Sequence, residues 1–247
     1  MNNTPIITVQ NLNAWYEQNI ILDDINFDVY AGEIFLIIGG SGCGKTTLLN
    51  SLIGLHQEVS GKIVIDKDAI VNVREELKRK VLKKIGVMYQ GGALFGSLTL
   101  LENVMFPLEE LSTLPKDAIQ AIATSKLETV GLGNFINYLP TEISGGMQKR
   151  AAIARAMVFE PKIIFLDEPF SGLDPTTAAQ IDKLILMLAQ ILKITFVVVT
   201  HELASIFNIS TRVIMLHDKK IIAAGDPKEL RKNSTNIVVQ KFFNRQA

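Results

Sequence analysis

The spacing of apolar residues along the chain predicts an alternation of strands and helices. From residue 25 to residue 30, apolar Ile25, Phe27 and Val29 alternate with polar neighbours, which is typical of a strand with one buried face. Residues 34–38 are apolar without interruption, as expected for a strand buried on both faces of a parallel sheet. Similar short runs predict further strands at residues 6–9, 62–65, 85–89, 163–166, 195–199, 212–216 and 221–224.

Helix signals lie between these strands. A helix is predicted at residues 45–55, and another at 175–192, where Asp174 is the predicted N-cap and a proline fills the first helical position. Residues 226–229 repeat this start as a predicted capping box. Residues 98–158 look helical and contain no convincing strand, with breaks expected at Pro107, Pro115 and Pro140. The pattern predicts an α/β core with mainly parallel strands and a helical insertion.

Composition narrows the classes of protein and partner. The 25 basic and 25 acidic residues give a formal net charge of zero, which argues against a general nucleic-acid binder. The mean hydropathy of +0.26 fits either a surface that docks on a partner or a large buried core. The most apolar window, 184–199, is interrupted by Gln190 and Lys193, so no membrane-spanning helix is expected. No signal peptide is visible, and the single Cys43 excludes an intrachain disulfide.

A glycine-rich segment between the strand at 34–38 and the helix at 45–55 has the chemistry of a phosphate loop. It matches G-x-x-x-x-G-K-[ST] over residues 39–46. Glycines let backbone N–H groups curl towards phosphate oxygens, and the positive end of the next helix faces the same anion. Lys45 is predicted to reach the β- and γ-phosphates of ATP, and Thr46 to bind Mg²⁺. The predicted ATP-binding residues here are Gly39, Gly40, Ser41, Gly42, Cys43, Gly44, Lys45, Thr46 and Thr47.

Two acidic residues follow the apolar run 163–166. Asp167 and Glu168 lie at the predicted carboxyl end of a strand, where open α/β sheets bind ligands. Beside a phosphate loop, Asp167 is predicted to hold Mg²⁺, directly or through water. Glu168 is the candidate general base for the attacking water. His201 follows the strand at 195–199 after one residue and is a candidate contact of the γ-phosphate.

Several motifs occur in an order that resembles the ATPase subunit of ABC transporters, from about residue 5 to residue 235. They are the segments 39–46, 144–148, 163–168 and 171–174, together with Gln90 and His201. The resemblance implies an α/β fold with a P-loop NTPase core of mainly parallel sheet, an antiparallel β subdomain and a helical insertion. It also implies one domain over 1–247, with the core and β subdomain at 1–92 and 159–235, the helical subdomain at about 93–158 and a short C-terminal tail at 236–247.

The resemblance also assigns roles to matching positions. Gln90 resembles the lid-loop glutamine that senses Mg²⁺ and the attacking water, and His201 resembles the switch histidine. Tyr16 resembles the aromatic residue that stacks on adenine, with Trp15 as an adjacent alternative. Contacts to the γ-phosphate of ATP held by a second subunit are implied for Ser144, Gly145 and Gly146. Asp174, also counted among the implied ATP-binding residues, resembles the aspartate of the loop that crosses between subunits. The implied catalytic residues are Glu168, His201 and Gln90, and the implied Mg²⁺ ligands are Thr46, Gln90 and Asp167.

The signature segment departs from the usual family pattern at two positions. Ile143 stands where most members have Leu, and Met147 stands where most have Gln. The first change is near-isosteric, whereas Met147 lacks a polar side chain. With this departure, the segments 144–151 and 90–95 resemble the subgroup that powers MCE-type (mammalian-cell-entry) lipid transporters, such as the Mla phospholipid system of Gram-negative bacteria.

This resemblance implies an ATP-hydrolysing subunit that energises a membrane permease in the phospholipid trafficking that maintains the outer membrane. The implied cofactors are ATP and Mg²⁺. The implied partners are a second copy in a head-to-tail homodimer, an MlaE-like integral membrane permease, an MCE-domain lipid-binding protein and, as a further candidate, a small STAS-domain subunit, with no nucleic acid. The implied location is the cytoplasmic face of the bacterial inner membrane. An ABC importer or exporter for another substrate and a non-transport ABC-type ATPase are the alternatives.

Overall fold

Two β-sheets and nine α-helices form residues 4–245, the part of the chain that the computed structural model describes. The strands are β1 (Pro5–Tyr16), β2 (Asn19–Tyr30), β3 (Ile34–Gly39), β4 (Val59–Ile65), β5 (Asp68–Ala69), β6 (Ile85–Met88), β7 (Ile163–Asp167), β8 (Thr195–Val199), β9 (Arg212–His217) and β10 (Lys220–Gly225). The helices are α1 (Lys45–Leu52), α2 (Glu75–Leu82), α3 (Leu100–Leu111), α4 (Lys116–Thr129), α5 (Gly145–Ala156), α6 (Pro175–Leu192), α7 (Leu203–Ile209), α8 (Pro227–Asn233) and α9 (Ile237–Phe243). Within these described residues, none of the helices meets the length and hydropathy that a bilayer crossing requires.

The larger sheet has six strands in the order β10-β9-β3-β8-β7-β6. All neighbouring pairs are parallel except the hairpin of β9 and β10. β3 is buried on both faces, because Phe35 and Ile37 pack into one hydrophobic cluster while Leu36 and Ile38 pack into the other. The prediction of an α/β core with mainly parallel, doubly buried strands is therefore confirmed. This sheet brings the ends of β3, β7 and β8 to one edge.

The smaller sheet is antiparallel, with the order β2-β1-β4-β5, as the resemblance implied. The predicted strands at 6–9 and 25–30 were too short, since β1 and β2 each contain 12 residues. Register shifts interrupt their pairing, and Asn11 and Asp24 adopt left-handed backbone angles. The Asn11 amide bonds the Asp24 carboxylate across the pair at 2.9 Å. These irregularities hide the alternation that a strand would show in the sequence.

Helices α3, α4 and α5 occupy the predicted helical stretch. Pro115 is the N-cap of α4 and Pro140 starts a short 3₁₀ turn, as expected for helix breakers. The prediction of a break at Pro107 was wrong, because Pro107 lies inside α3. A capping box between Thr99 and Glu102 fixes the start of this helix, and its apolar face is buried on both sides of the proline.

Two predicted helix starts are formed largely as expected. Asp174 caps α6 by accepting hydrogen bonds from the backbone N–H groups of Thr176 and Thr177. Asp226 caps α8 in the same way. The Glu229 carboxylate accepts a bond from Asn233 instead, so the reciprocal half of the predicted capping box is not formed.

Candidate functional site

A cavity of about 660 Å³ opens at the carboxyl edge of the six-stranded sheet. It lies where β3, β7 and β8 end, which is the usual ligand position in open α/β sheets. Its walls combine the predicted phosphate loop with Gln90, Glu168 and His201. They also include residues from α7 and the C-terminal segment that the sequence did not suggest. The lining residues are Gly39, Gly40, Ser41, Gly42, Lys45, Thr46, Gln90, Glu168, Ser171, His201, Leu203, Phe242 and Arg245.

The phosphate loop connects β3 directly to α1. Gly39 requires glycine, since a Cβ there would collide with the Leu216 carbonyl oxygen and lie 2.7 Å from the Cys43 sulfur. Gly44 has φ of 99° and precedes α1 without any side-chain cap. The first N–H groups of α1 are therefore not occupied by a capping side chain, as an anion site requires. Lys45 Nζ donates to the carbonyl oxygens of Gly39 and Gly40 at 3.0 and 2.7 Å, which places its ammonium over the loop.

Two of the predicted ATP-binding residues, Cys43 and Thr47, do not line this cavity. Cys43 is half-buried and lines a neighbouring cavity with Ile20, Ile21 and residues of the β9–β10 turn. Burial raises the pKa of the Cys43 thiol, and the nearby Lys45 charge opposes this. Thr47 is buried among the residues of α1, and its carbonyl accepts a bond from Ser51 at 2.8 Å.

Asp167 is a buried acid at the last position of β7, only 5% exposed. Its Oδ1 is buried and has no hydrogen-bond partner. Burial raises the pKa of Asp167, the Glu168 charge raises it further, and the charges of Lys45 and Lys149 oppose the shift. The unpartnered Oδ1 of Asp167 and the hydroxyl of Thr46, which lines the cavity, are hard oxygen donors of the kind that Mg²⁺ prefers. Within residues 4–245, no group of three or more His, Cys, Asp and Glu side chains could hold a metal, so phosphate and water oxygens would have to supply the other ligands.

Glu168 and His201 form a pair on two neighbouring strand ends. Glu168 has a left-handed backbone with φ of 49°, and its side chain is 13% exposed. His201 Nδ1 lies 2.9 Å from Glu168 Oε1, although 33 residues separate them. The two residues meet because β7 and β8 are adjacent and parallel. This contact fixes the direction of the carboxylate at the cavity wall.

Lys149 is a charged neighbour of this pair that was not assigned a role from the sequence. It lies on α5, is only 6% exposed, and sits close enough to Asp167 and Glu168 for their charges to affect it. Burial lowers the pKa of Lys149, and these two carboxylates oppose the shift. The available signal was a lysine soon after the predicted start of this helix, but sequence spacing alone cannot place that lysine near the acids at the end of β7.

Gln90 occupies the corner of a tight turn after β6. The Gly92 N–H donates to the Tyr89 carbonyl at 2.8 Å, and Gly91 has φ of 76°. These features are typical of a type II turn with Gln90 at its first central position. The turn presents Gln90 to the cavity while Gly92 packs against α5.

The signature residues do not line this cavity. Ser144 caps α5 by accepting the Met147 N–H at 3.3 Å, and Gly146 packs so tightly on Thr177 of α6 that a Cβ would collide with its methyl group. Asp174 accepts the Thr177 hydroxyl, which lowers the pKa of Asp174. Ser144, Gly145 and Asp174 are exposed and form a separate surface where α5 and α6 begin.

Tyr16 also lies outside the cavity wall. It is 50% exposed at the end of β1, and its ring centroid is 4.6 Å from that of His56. Trp15, the alternative, is half-buried. The roles of all these positions remain predictions, since geometry alone fixes only where each one lies.

Comparisons with known proteins agree with this arrangement. Residues 22–171 match the family described as ABC transporter. The chain is 37% identical to the intermembrane phospholipid transport system ATP-binding protein MlaF of Haemophilus influenzae, over 96% of this chain and 90% of the relative. It is also 37% identical to the spermidine/putrescine import ATP-binding protein PotA of the same species, over 98% of this chain and 64% of PotA. The dimeric post-hydrolysis structure of the ATP-binding cassette MJ0796 with ADP and Pi has a TM-score of 0.81 at 31% identity, covering 89% of this chain and 98% of that one.

Proposed function

Because the chain belongs to the ABC transporter family and is an ATPase of that family, we propose that it works as a head-to-tail homodimer that holds two ATP molecules between its subunits. One observation carries this proposal. The phosphate loop and Glu168 line one cavity, whereas Ser144 and Asp174 lie on a separate exposed surface. Each copy then supplies the half-site that the other lacks.

We assign the ATP phosphates to the loop of residues 39–46 and the start of α1. Lys45 would exchange its two carbonyl contacts for the β- and γ-phosphate oxygens. Thr46 and Asp167 would hold Mg²⁺, with Gln90 as the third proposed contact. When bound, Mg²⁺ would neutralise the negative charge that develops on the phosphate oxygens. The unpartnered Oδ1 of Asp167 supports this assignment.

Glu168 is the proposed general base. Its contact with His201 directs one oxygen to the imidazole and leaves the other for the attacking water. When His201 Nδ1 carries a proton, it donates to Glu168 and stabilises the ionised carboxylate. After the water loses its proton to Glu168, the γ-phosphoryl group is transferred to it and ADP leaves. ATP bridges the two subunits, so its hydrolysis removes contacts that hold the dimer closed.

Subunit mixing tests the shared site directly. Lys45→Ala removes the phosphate contact of one half-site, and Ser144→Arg places a bulky charge on the other, so each variant alone should be inactive. In a mixed dimer, one of the two sites keeps both intact halves. A one-to-one mixture should recover about a quarter of wild-type ATPase activity if subunits pair at random. No recovery on mixing, with both variants folded, would contradict a site shared between copies.

We further propose that the dimer docks on the cytoplasmic side of a bacterial inner-membrane permease of the MlaE type and energises phospholipid trafficking with an MCE-domain protein. The MlaF relative and the signature segment 144–151 support this cargo. An exposed aromatic pair, Phe95 and Phe106, with ring centroids 4.9 Å apart, supports a docking surface beside α3. A STAS-domain subunit is the further proposed partner.

The PotA relative keeps polyamine import as the second candidate, because its identity to this chain is the same. Purification of the native complex from membranes, followed by identification of bound proteins and lipids, separates the two. An MCE-domain protein with bound phospholipid is the expected result. A permease whose ATPase rate responds to spermidine and not to lipid would contradict the phospholipid proposal and leave the ATPase proposal intact.

A further inference from the structure

The turn that carries Gln90 is held by a side chain from a distant helix. Arg155, in the last turn of α5, donates from Nη1 to the Ala93 carbonyl and from Nη2 to the Gly92 carbonyl, both at 2.8 Å. More than sixty residues of chain separate the partners. Two bonds from one planar guanidinium fix the direction of the backbone as well as its position. A lysine ammonium is a point charge on a flexible stem and lacks this rigid planar fork.

The backbone at this point is one that free chains rarely adopt. Gly91, Gly92 and Ala93 have φ of 76°, 83° and 47°, so three consecutive residues are left-handed. Glycine tolerates this conformation, but alanine disfavours it because its Cβ approaches the following carbonyl. Ala93 is exposed and gains nothing from burial there. The hydrogen bond from Arg155 to the Ala93 carbonyl therefore helps to hold Ala93 in this left-handed conformation.

The same face of α5 also supports the turn by packing. A Cβ built on Gly92 would lie 3.4 Å from the Ala152 Cβ and 3.7 Å from the Gln148 carbonyl. Gln148, Ala152 and Arg155 are spaced by four and three residues, so they share one face of the helix. The turn therefore lies against α5, with Gly92 as the closest point of contact.

The far end of the segment is fixed to the neighbouring helix. The fully buried Asn103 of α3 accepts the Phe95 N–H at 2.7 Å and donates to the carbonyls of Phe95, Leu98 and Thr99 at 3.0 Å. The segment from 92 to 99 is thus anchored to α5 at its start and to α3 at its end. Gln90, by contrast, lines the phosphate cavity.

We infer that Arg155 is a positioning residue that ties the Gln90 turn to α5 and so holds Gln90 at the phosphate cavity. The inference rests on the proposed role of Gln90 in ATP hydrolysis. Since α5 begins at the exposed signature surface, the guanidinium would link that surface to the catalytic cavity within one chain. Arg155 itself need not touch the nucleotide.

A double-mutant cycle on the full chain tests this link. The kcat and KM for Mg-ATP are measured for Arg155→Lys, Gln90→Ala and the double variant. Arg155→Lys keeps the charge but loses the fork, and we expect kcat to fall roughly five- to twenty-fold with KM unchanged within about two-fold. In the Gln90→Ala background, Arg155→Lys should lower kcat by less than about two-fold, because its effect passes through Gln90.

Arg150→Lys is the matched control. Arg150 is on the same helix, but its Nη1 donates to the Val130 carbonyl at 3.2 Å, in the helical region away from the Gln90 turn. This variant should leave kcat unchanged. Equal losses of kcat in Arg150→Lys and Arg155→Lys would show that either substitution simply destabilises α5. That result would overturn the inference.

Ala93→Val approaches the same contact from the other side. A β-branched residue disfavours a φ of 47°, whereas the exposed position has room for the larger side chain. This variant therefore tests the inference even if Arg155→Lys unfolds below the assay temperature. We expect the same loss of kcat and the same lack of additivity with Gln90→Ala. Wild-type kcat in both the Arg155 and Ala93 variants, or full additivity with Gln90→Ala, overturns the inference alone. Wild-type kcat in Gln90→Ala instead removes the proposed role of Gln90.

Discussion

The helices α1 and α5 both begin at a glycine-containing segment, but one start is uncapped and faces the cavity while the other is capped and faces outwards. The start of α1 has no side-chain cap and faces the cavity with Lys45 folded over it. The start of α5 is capped by Ser144, packs Gly146 against α6 and faces outwards. Both offer backbone N–H groups at the positive end of a helix, which suits anions.

The difference supports the proposal that one chain carries two half-sites. The α1 start shares its cavity with two groups of the same chain, Glu168 after β7 and His201 after β8. The start of α5 faces outwards beside Asp174. It does not line the cavity that contains the phosphate loop of the same chain. Variants that affect only one of the two starts can therefore separate nucleotide binding from turnover.

The largest effect is expected at the cavity. Glu168→Gln should keep ATP binding but reduce kcat by about 10²–10⁴-fold, the scale of a general base. The amide oxygen can still face His201, so the geometry of the wall should survive. ATP-bound dimers should accumulate, which size-exclusion chromatography with Mg-ATP would detect. Near-normal turnover would remove Glu168 from its proposed role.

A smaller effect is expected at the outward-facing start. Gly146→Ala should push α5 away from α6, because the new Cβ collides with the Thr177 methyl group. We expect kcat to fall about ten-fold while ATP still binds to the single chain. Thr177→Ser removes that methyl and keeps the hydroxyl that Asp174 accepts, so the double variant should regain most of the lost kcat. Loss of ATP affinity in Gly146→Ala would instead show that the start of α5 also affects ATP binding by the single chain.

Lys149 links the two regions, since it lies on α5 and faces the acids of the cavity. Its charge opposes the raised pKa of Asp167, so Lys149→Met should raise the pKa of Asp167 further. The acidic limb of the pH profile of kcat/KM should then move to higher pH, because the proposed Mg²⁺ ligand Asp167 would bind the ion in its ionised form. Lys149→Arg should leave the limb in place. An unchanged profile in Lys149→Met would place the limiting ionisation elsewhere.

Asp182 on α6 provides the smallest effect and a comparison with Asp167. Both are buried acids whose Oδ1 lacks a hydrogen-bond partner, but Asp182 faces Asn208 and not the cavity. Burial raises the pKa of Asp182, so the folded state keeps its proton to higher pH than the unfolded state. The free energy of unfolding should fall as pH rises from near 4 towards 7, relative to Asp182→Asn.

The expected result is a free energy of unfolding that falls more steeply with rising pH in the wild type than in Asp182→Asn. Urea unfolding of both proteins across this pH range measures it. The ATPase rate of Asp182→Asn at neutral pH should equal that of the wild type. A parallel pH dependence in the two proteins would show that Asp182 does not carry the shift.

Sequence patterns predicted the parts of the fold and site that local chemistry determines. The apolar run before Gly39 and the acids after residue 166 indicate buried strands with polar ends, and this inference needs only the adjacent residues in the sequence. The caps at Asp174 and Asp226 were predicted for the same reason. The two long strands of the smaller sheet were predicted only in part, since left-handed Asn11 and Asp24 interrupt their pattern.

Contacts between distant segments could not be predicted in this way. The bond between Glu168 and His201 depends on the adjacency of β7 and β8, and the proximity of Lys149 to both acids depends on how α5 packs. Pro107 stays within α3 because its neighbours are buried on a tertiary core, which outweighs the local cost of proline. Residue type suggested none of these outcomes without the packing.

Cys43, the single cysteine of the chain, makes the protein convenient for spectroscopy. Cys43 belongs to the phosphate loop and lines a second cavity with Ile20, Ile21 and the β9–β10 turn. One spin label or fluorophore could therefore be attached next to the loop without engineering any other position. The raised pKa of the thiol calls for mildly alkaline labelling buffer. In an assembly of two copies, the label-to-label distance would report opening and closing in real time.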